Sequence, residues 1–308
     1  SLQTGNALQI GADNGGSTFD GYIAEVCFID GSALNPTSFG EFDEDSPTIW
    51  KPIDVSGLTF GTKGFYLSFS DSADLGADSS GNGNDLTATN LAATDQAVDT
   101  PTNNFCTLNP LVDWYSDATL SEGNCTSVAG SGNWKGEKGT IAVSKGKWYW
   151  EVKLSAGTIA NYFLGVQEIN VEGAAADNSQ QLAGTLVFYN NDGGIIYVDN
   201  SATVTSVGLL DQGDILGVAL NMDGGSYGQI TLYDNNSSIA ANTDLSSTTN
   251  YVTPATWNVS STSEFNFGGC SAFTVSSAAS DENGYGNFEF APPSGYLALC
   301  TKNLATDG

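Results

Sequence analysis

Alternating apolar and polar positions are clearest between Lys147 and Leu154, where the chain reads GKWYWEVKL from Gly146. One side of an extended chain would carry the apolar set Trp148, Trp150, Val152 and Leu154. The other side would carry Lys147, Tyr149, Glu151 and Lys153. Because side chains alternate between the faces of a strand, this period of two predicts a half-buried β-strand. Its two tryptophans are predicted to lie in the protein core rather than to form a sugar-stacking platform.

Similar short apolar runs recur along the chain, separated by turn signals at 191–194, 223–225 and 234–236. They predict strands at Ala7–Gly11, Tyr22–Ile29, Phe65–Phe69, Thr140–Val143, Lys147–Leu154, Tyr162–Val166, Thr185–Tyr189, Ile195–Val198, Ile215–Asn221, Gln229–Tyr233, Glu264–Phe267 and Gly295–Leu299. The same patterning predicts no amphipathic helix. Many short strands at this spacing indicate an all-β protein built as an antiparallel β-sandwich or jelly roll.

Apolar periodicity almost disappears between residues 51 and 112, where Ser, Asn, Asp, Thr and Gly dominate. We therefore predict an extended connector over this range, held against a surface by its few large apolar side chains. A loop of this length is usually functional or docked against something.

Charge excludes several classes of partner. Of 308 residues, 35 are acidic and 8 are basic, which gives a formal net charge of −27. Nucleic acid is not an expected partner, because phosphate binding requires clustered Lys or Arg. Anionic membrane surfaces are disfavoured for the same reason, and no apolar run is long enough for membrane insertion.

Catalysis is constrained by the complete absence of histidine. No Ser-His-Asp triad, Cys-His pair or His-ligated zinc site can exist. The five cysteines form no CxxC pair and are interpreted as free, mostly buried thiols. The stretch EFDEDS (Glu41–Ser46) is superficially similar to a glucanase pattern, Glu-x-Asp-x-x-Glu, but has serine in place of the last glutamate. We therefore predict no enzymatic activity and no catalytic residue.

Five stretches appear in the order found in the SPRY (B30.2-like) β-sandwich family. They are GKWYWEVKL, YFLGV (162–166), GDILGVALNMD (213–223), GQITLYDNN (228–236) and EFNFGG (264–269). Residues 113–304 therefore resemble an SPRY-like β-sandwich. In that family ligands bind through loops at one end of the sandwich.

Two earlier stretches resemble the laminin-G/concanavalin-like lectin family. The segment Gly11–Leu34 is similar to its closing strand, and Asp78–Asn90 is similar to its opening loop. The stretch that resembles a closing strand comes before the stretch that resembles an opening loop, which is the wrong order for one complete domain. We therefore predict three regions. Residues 1–50 would be the C-terminal strands of a lectin-like domain, 51–112 the extended connector and 113–304 the SPRY-like β-sandwich.

This order of modules resembles virion proteins of marine bacteriophages, especially tail or capsid fibres. The resemblance implies a structural and adhesive protein on the virion surface, outside cells, that presents a β-sandwich for host-surface recognition. Its partners would be other copies of itself, other virion proteins, and a host glycan or protein. Two alternatives stay open: a subunit of an extracellular filament assembled by strand exchange, and a secreted carbohydrate-binding module.

Candidate ligand-binding residues come from the turns, where rings can stack and amides can form hydrogen bonds. They are Tyr189, Asn190, Asn191, Asp192, Tyr227 and Tyr285. Ordinary hairpin tips use the same residue types. A candidate Ca²⁺ site consists of the hard oxygen ligands Asp78, Asn82, Asn84 and Asp85, with a solvated turn as the alternative. No other cofactor is expected.

Overall fold

The computed structural model describes residues 8–12, 16–19, 21–42, 44, 47–48, 50–100, 102–111, 118–132, 134–158, 162–170, 185–199, 201–245 and 251–308, with backbone only at 94, 185–188 and 190. The chain divides into two compact units. The first consists of residues 1–41 and 52–90, and the second of residues 42–51 and 91–308.

Strands make up nearly all of the regular structure. In chain order they are β1 (Val26–Phe28), β2 (Gly40–Phe42), β3 (Trp50–Pro52), β4 (Phe65–Leu67), β5 (Thr119–Ser121), β6 (Thr126–Ala129), β7 (Lys135–Lys138), β8 (Lys147–Gly157), β9 (Tyr162–Glu168), β10 (Thr185–Asn190), β11 (Ile195–Val198), β12 (Ser201–Thr205), β13 (Ile215–Asn221), β14 (Gln229–Asp234), β15 (Ser237–Asp244), β16 (Val252–Asn258), β17 (Ser261–Asn266) and β18 (Leu297–Ala298). A short helix, α1 (Thr301–Asp307), follows β18. Among the described residues, no helix has the length and apolar character needed to cross a bilayer.

Two antiparallel sheets form the body of the second unit. The six-stranded sheet has the order β12-β11-β10-β9-β16-β7. The larger sheet has the order β15-β14-β13-β8-β17-β6-β5, with β18 running parallel to β8. Core side chains of both sheets, such as Trp150 and Leu164, belong to one continuous apolar cluster. The predicted all-β antiparallel sandwich is confirmed.

Strand β8 lies at the centre of the larger sheet and carries the predicted indole pair. Trp148 and Trp150 are at most 1% exposed, so both are core residues as predicted. The opposite face of β8 is also buried, however, since Tyr149 and Glu151 have almost no exposed surface. The prediction of a half-buried strand is corrected here, because residues 289 and 290 cover that face and donate hydrogen bonds to Glu151.

The sequence patterns missed some elements and predicted two strands that do not form as expected. Strand β16 is buried along its whole length and contains Pro254, which lies where the ladder to β7 ends at Ala255. The predicted strand at Thr140–Val143 is reduced to an isolated bridge between Val143 and Val252. The predicted strand at Ala7–Gly11 does not form over its described residues, and Ala7 lies outside them. Helix α1 was not predicted.

The first unit is built around a two-stranded antiparallel sheet of β1 and β4, in which Val26 pairs with Leu67. Stacked rings support it, with the centroids of Phe28 and Phe65 5.5 Å apart. Residues 52–90 therefore form a compact unit with 1–41, which differs from the predicted boundary at residue 50 and from an extended connector over 51–112. The reason is the buried run Phe65–Leu67, which forms β4 and pairs with β1 of the N-terminal segment.

Candidate binding surface

The sandwich of the second unit has two ends, which the register of β13 defines. At the Asn221 end, Met222 N donates to Gly146 O at 2.9 Å and β13 turns into β14. At the Ile215 end, Asn235 N donates to Ile215 O at 3.0 Å. A seven-residue strand separates the two ends by roughly 20 Å. Loops at one end therefore cannot share a small ligand with loops at the other.

Residues 189–194 lie at the Ile215 end. The hydroxyl of Tyr162 lies 2.7 Å from Ala156 O and 2.6 Å from Thr262 O, which brings the start of β9 to this end of the larger sheet. Strand β10 is antiparallel to β9 and pairs Asn190 with Phe163. The turn at 191–194 follows directly.

Two predicted ligand residues hold this end together from the inside. Tyr189 is fully buried, and its hydroxyl donates to Gly208 O at 2.8 Å. Asn191 is also buried, with Nδ2 donating to Leu210 O at 2.9 Å while its Oδ1 accepts from Leu210 N at 2.9 Å. We therefore correct their assignment as ligand contacts: both position the loop 206–214.

The exposed groups at the Ile215 end are different ones. Asp192 lies exposed on its turn, and Leu209 is 57% exposed on the loop that Tyr189 and Asn191 hold. The backbone of Asn190 belongs to β10, and its side chain lies outside the described part of the structure.

Tyr227 lies at the Asn221 end, in the turn between β13 and β14, and is 44% exposed. Its turn is fixed by hydrogen bonds: Gly228 N donates to Gly224 O at 3.0 Å, and Gly146 N donates to Asp223 Oδ1 at 3.1 Å. Gly228 has φ +99°, a left-handed conformation that side chains rarely adopt. The turn therefore presents the phenol ring from a well-defined backbone.

A second tyrosine at the Asn221 end was not predicted from the sequence. Tyr251 is 52% exposed and immediately precedes β16. Its carbonyl accepts from Ile169 N at 3.0 Å, and the next residue, Val252, exchanges backbone hydrogen bonds with Val143. A strand prediction for β16 would have indicated this residue, because Tyr251 immediately precedes that central strand.

Tyr285 lies on neither end, because its segment covers the outer face of the larger sheet. It packs against a cluster that includes Tyr149 and Phe288, and Lys302 Nζ lies 5.7 Å from its ring centroid. Its backbone N–H donates to Asp281 Oδ1 at 2.8 Å. The structure therefore distributes the predicted ligand residues over three separate places.

The covering segment is fastened by two buried carboxylates. Glu151 Oε2 accepts from Glu289 N at 3.0 Å and from Asn266 Nδ2 at 3.1 Å, and Oε1 accepts from Phe290 N at 2.8 Å. Burial raises the pKa of Glu151 to about 7, and these hydrogen bonds oppose a larger rise. Because the carboxylate is fully buried, it acts as an anchor and has no access to a substrate.

Asp281 is the second anchor. Its Oδ2 accepts from Ala298 N and from Asn303 Nδ2, both at 2.8 Å, and its Oδ1 accepts from Asn283 N at 2.9 Å. These bonds join the 281–285 turn to β18 and α1.

The candidate Ca²⁺ ligands are used internally by the first unit. Asp78 accepts from Tyr66 N, Ser80 N and Asn84 N, each at 2.9 Å. Burial alone would raise the pKa of Asp78, but these hydrogen bonds outweigh it and lower the pKa below its ordinary value.

The other three side chains of the set also serve the loop. Nδ2 of Asn82 and of Asn84 donates to Gly64 O at 3.0 and 2.8 Å, and Asp85 Oδ1 accepts from Asp78 N at 2.9 Å. Within the described ranges no group of three or more acidic or cysteine side chains could hold a metal ion. Hydrogen bonds within the first unit therefore occupy all four side chains, which favours the turn over the Ca²⁺ site.

The glucanase-like stretch is only partly described. Glu41 is exposed on β2, whereas Asp43, Asp45 and Ser46 lie outside the described residues.

Comparisons with known proteins show similarity in fold. No protein-family model matches the chain, and no curated protein matches it. The chain is similar to the SPRY domain of human HERC1, at 15% identity over 54% of this chain and 99% of that one, with a TM-score of 0.43. It is also similar to a human SPRY domain (16% identity, 49% and 94% covered, TM-score 0.36) and to the TRIM65 PSpry domain (19%, 53% and 92%, TM-score 0.40). These likenesses concern the fold alone.

Proposed function

We propose that this protein is a structural and adhesive component of a phage virion, part of a tail or capsid fibre or decoration. It works without covalent chemistry and binds the host surface through the Asn221 end of its sandwich. The observation that carries this proposal is that Tyr227 and Tyr251 are both exposed at that end, on backbone held by hydrogen bonds.

Exposed tyrosines on a rigid backbone suit recognition. A phenol ring supplies a large contact area at low conformational-entropy cost, and its hydroxyl can form a hydrogen bond. Tyrosine is also enriched among the residues that dominate binding energy at interfaces. The same chemistry serves a glycan, whose ring faces stack on aromatic side chains, and a protein.

The net charge of the chain supports a role as a virion component that is present in many copies. A net charge of −27 makes neighbouring copies repel one another outside their specific contacts. The resemblance of its segment order to marine phage fibre proteins supports the virion surface as its location. Copies of itself and other virion proteins would be its structural partners.

Adsorption competition tests the recognition site. Purified full-length protein is expected to reduce adsorption of the parent phage to its host cells. Replacing both Tyr227 and Tyr251 by Ala should raise the concentration needed for half-inhibition at least tenfold. Leu209→Ala, which removes an exposed apolar side chain at the opposite end, is the matched control and should compete like wild type. Equal competition by the double variant, or an equal loss in Leu209→Ala, would contradict the assignment.

Assembly into a filament by strand exchange is a second candidate function, favoured by β1. Among the described residues β1 pairs with β4 alone, and none of its three residues is fully buried. An open strand edge can accept another strand. Electron microscopy separates the two functions: antibody labelling on phage particles with closed symmetry supports the virion component, and open helical stacks support the filament.

A further inference from the structure

Two of the five cysteines lie together at one edge of the larger sheet. Cys125 immediately precedes β6, and Cys270 lies in the turn that follows β17. Strands β6 and β17 are paired, and Phe265 N continues the ladder by donating to Cys125 O at 2.7 Å. The chain then folds back, with Ala272 N donating to Phe265 O at 3.2 Å. The bridge between Asn266 and Ser271 closes this hairpin, and Cys270 lies at its turn.

Both sulfur atoms point at the same turn. Cys125 Sγ lies 3.8 Å from Gly123 O, and Cys270 Sγ lies 3.6 Å from Glu122 O. Each thiol shifts the pKa of the other, and both side chains belong to one apolar cluster. Three successive residues of this turn, 122 to 124, have positive φ, which gives a tight bend whose carbonyl oxygens both sulfurs contact.

We propose that Cys125 and Cys270 are a cross-linking site that forms an intramolecular disulfide when the protein meets a low-molecular-weight disulfide. The inference rests on this geometry and is independent of the proposed adhesive function. Both thiols are free in the present structure.

Thiol–disulfide exchange supplies the balanced chemistry. The Cys270 thiolate attacks one sulfur of oxidised glutathione, breaks its S–S bond and releases one glutathione thiolate. Cys125 then loses its proton and attacks the Cys270 sulfur, which forms the protein disulfide and releases the second glutathione. Two protein thiols are oxidised, one glutathione disulfide is reduced, and the two protons pass to the released thiolates.

Cys270 reacts first with the oxidised glutathione, for two reasons. It is 7% exposed, whereas Cys125 is fully buried. A hydrogen bond from Cys125 also lowers the pKa of Cys270 below its ordinary value, while that contact and burial raise the pKa of Cys125. Cys270 is therefore the better nucleophile, and Cys125 resolves the mixed disulfide.

Thiol counting and peptide mapping of the full-length protein test the proposal. After incubation with oxidised glutathione and denaturation, the free thiols should fall from five to three, and mass spectrometry should find a peptide linking Cys125 to Cys270. The bond closes a loop of about 145 residues and should raise Tm by about 10 °C over the sample treated with reductant.

Two variants sharpen the test. Cys125→Ser should abolish both the linked peptide and the rise in Tm, whereas Cys300→Ser, which replaces a buried cysteine elsewhere, should keep both. Five remaining thiols in the wild-type protein, or a linked peptide joining any other pair, would overturn the proposal.

Discussion

The buried carboxylate of Glu151 gives the sharpest physical prediction, because its pKa links folding to pH. We consider Glu151→Gln, which keeps the size of the side chain and removes its titration. Burial raises the folded-state pKa from 4.5 to about 7. Each pKa unit between folded and unfolded states corresponds to about 1.4 kcal/mol, so Glu151 alone changes the free energy of unfolding by about 3 kcal/mol across this range.

The direction follows from proton binding. Since the folded protein holds this proton more tightly than the unfolded chain, the stabilisation is fully present below pH 4.5 and is lost as pH rises through 7. The free energy of unfolding of wild type minus that of Glu151→Gln should therefore fall by about 3 kcal/mol between pH 4.5 and pH 8.

Urea unfolding at several pH values, followed by tryptophan fluorescence, measures this difference directly. Glu264→Gln removes the same charge from a half-buried position on the neighbouring strand and controls for the change in net charge. A difference between wild type and Glu151→Gln that stays constant, or grows with pH, would refute the reasoning.

Three further predictions follow from burial and hydrogen bonding. Trp150→Ala should cost about 3–5 kcal/mol in urea unfolding or abolish folding, unlike Trp50→Ala at an exposed ring; a stable, cooperative Trp150→Ala protein would be inconsistent with a core role. Asp281→Ala leaves buried backbone donors without an acceptor and should speed hydrogen exchange at residues 283–285 and 298; unchanged exchange would argue against the anchor. Calcium should give no calorimetric heat and no shift in Tm relative to chelator, and a chelator-sensitive rise in Tm would restore a metal role for Asp78.

Short apolar runs between turn residues were enough to locate part of the fold. Ile195–Val198 and Ile215–Asn221 have the predicted bounds, since each is an apolar run closed by turn residues. Strand β16 was missed because Pro254 argues against a central strand. The burial of Glu151 was also missed, because it depends on a covering segment almost 140 residues away in the sequence.

The site was harder to predict, for reasons that are also physical. Tyr189 sits opposite Leu164 and Ile196 in the sheet, and both of these are core residues, so its side chain points inward. Both Tyr189 and Tyr227 lie beside turn residues in the sequence, so the local pattern does not distinguish the buried ring from the exposed one. The proximity of Tyr227 and Tyr251 to the same end follows from long-range strand register, which a local pattern does not contain.

Hydroxyl-radical footprinting of the full-length protein bound to purified host envelopes tests recognition through the Asn221 end most directly. We predict reduced oxidation of Tyr227 and Tyr251 on binding, while Leu209 at the other end stays as reactive as in the free protein. Protection of Leu209 with no change at the two tyrosines would contradict it.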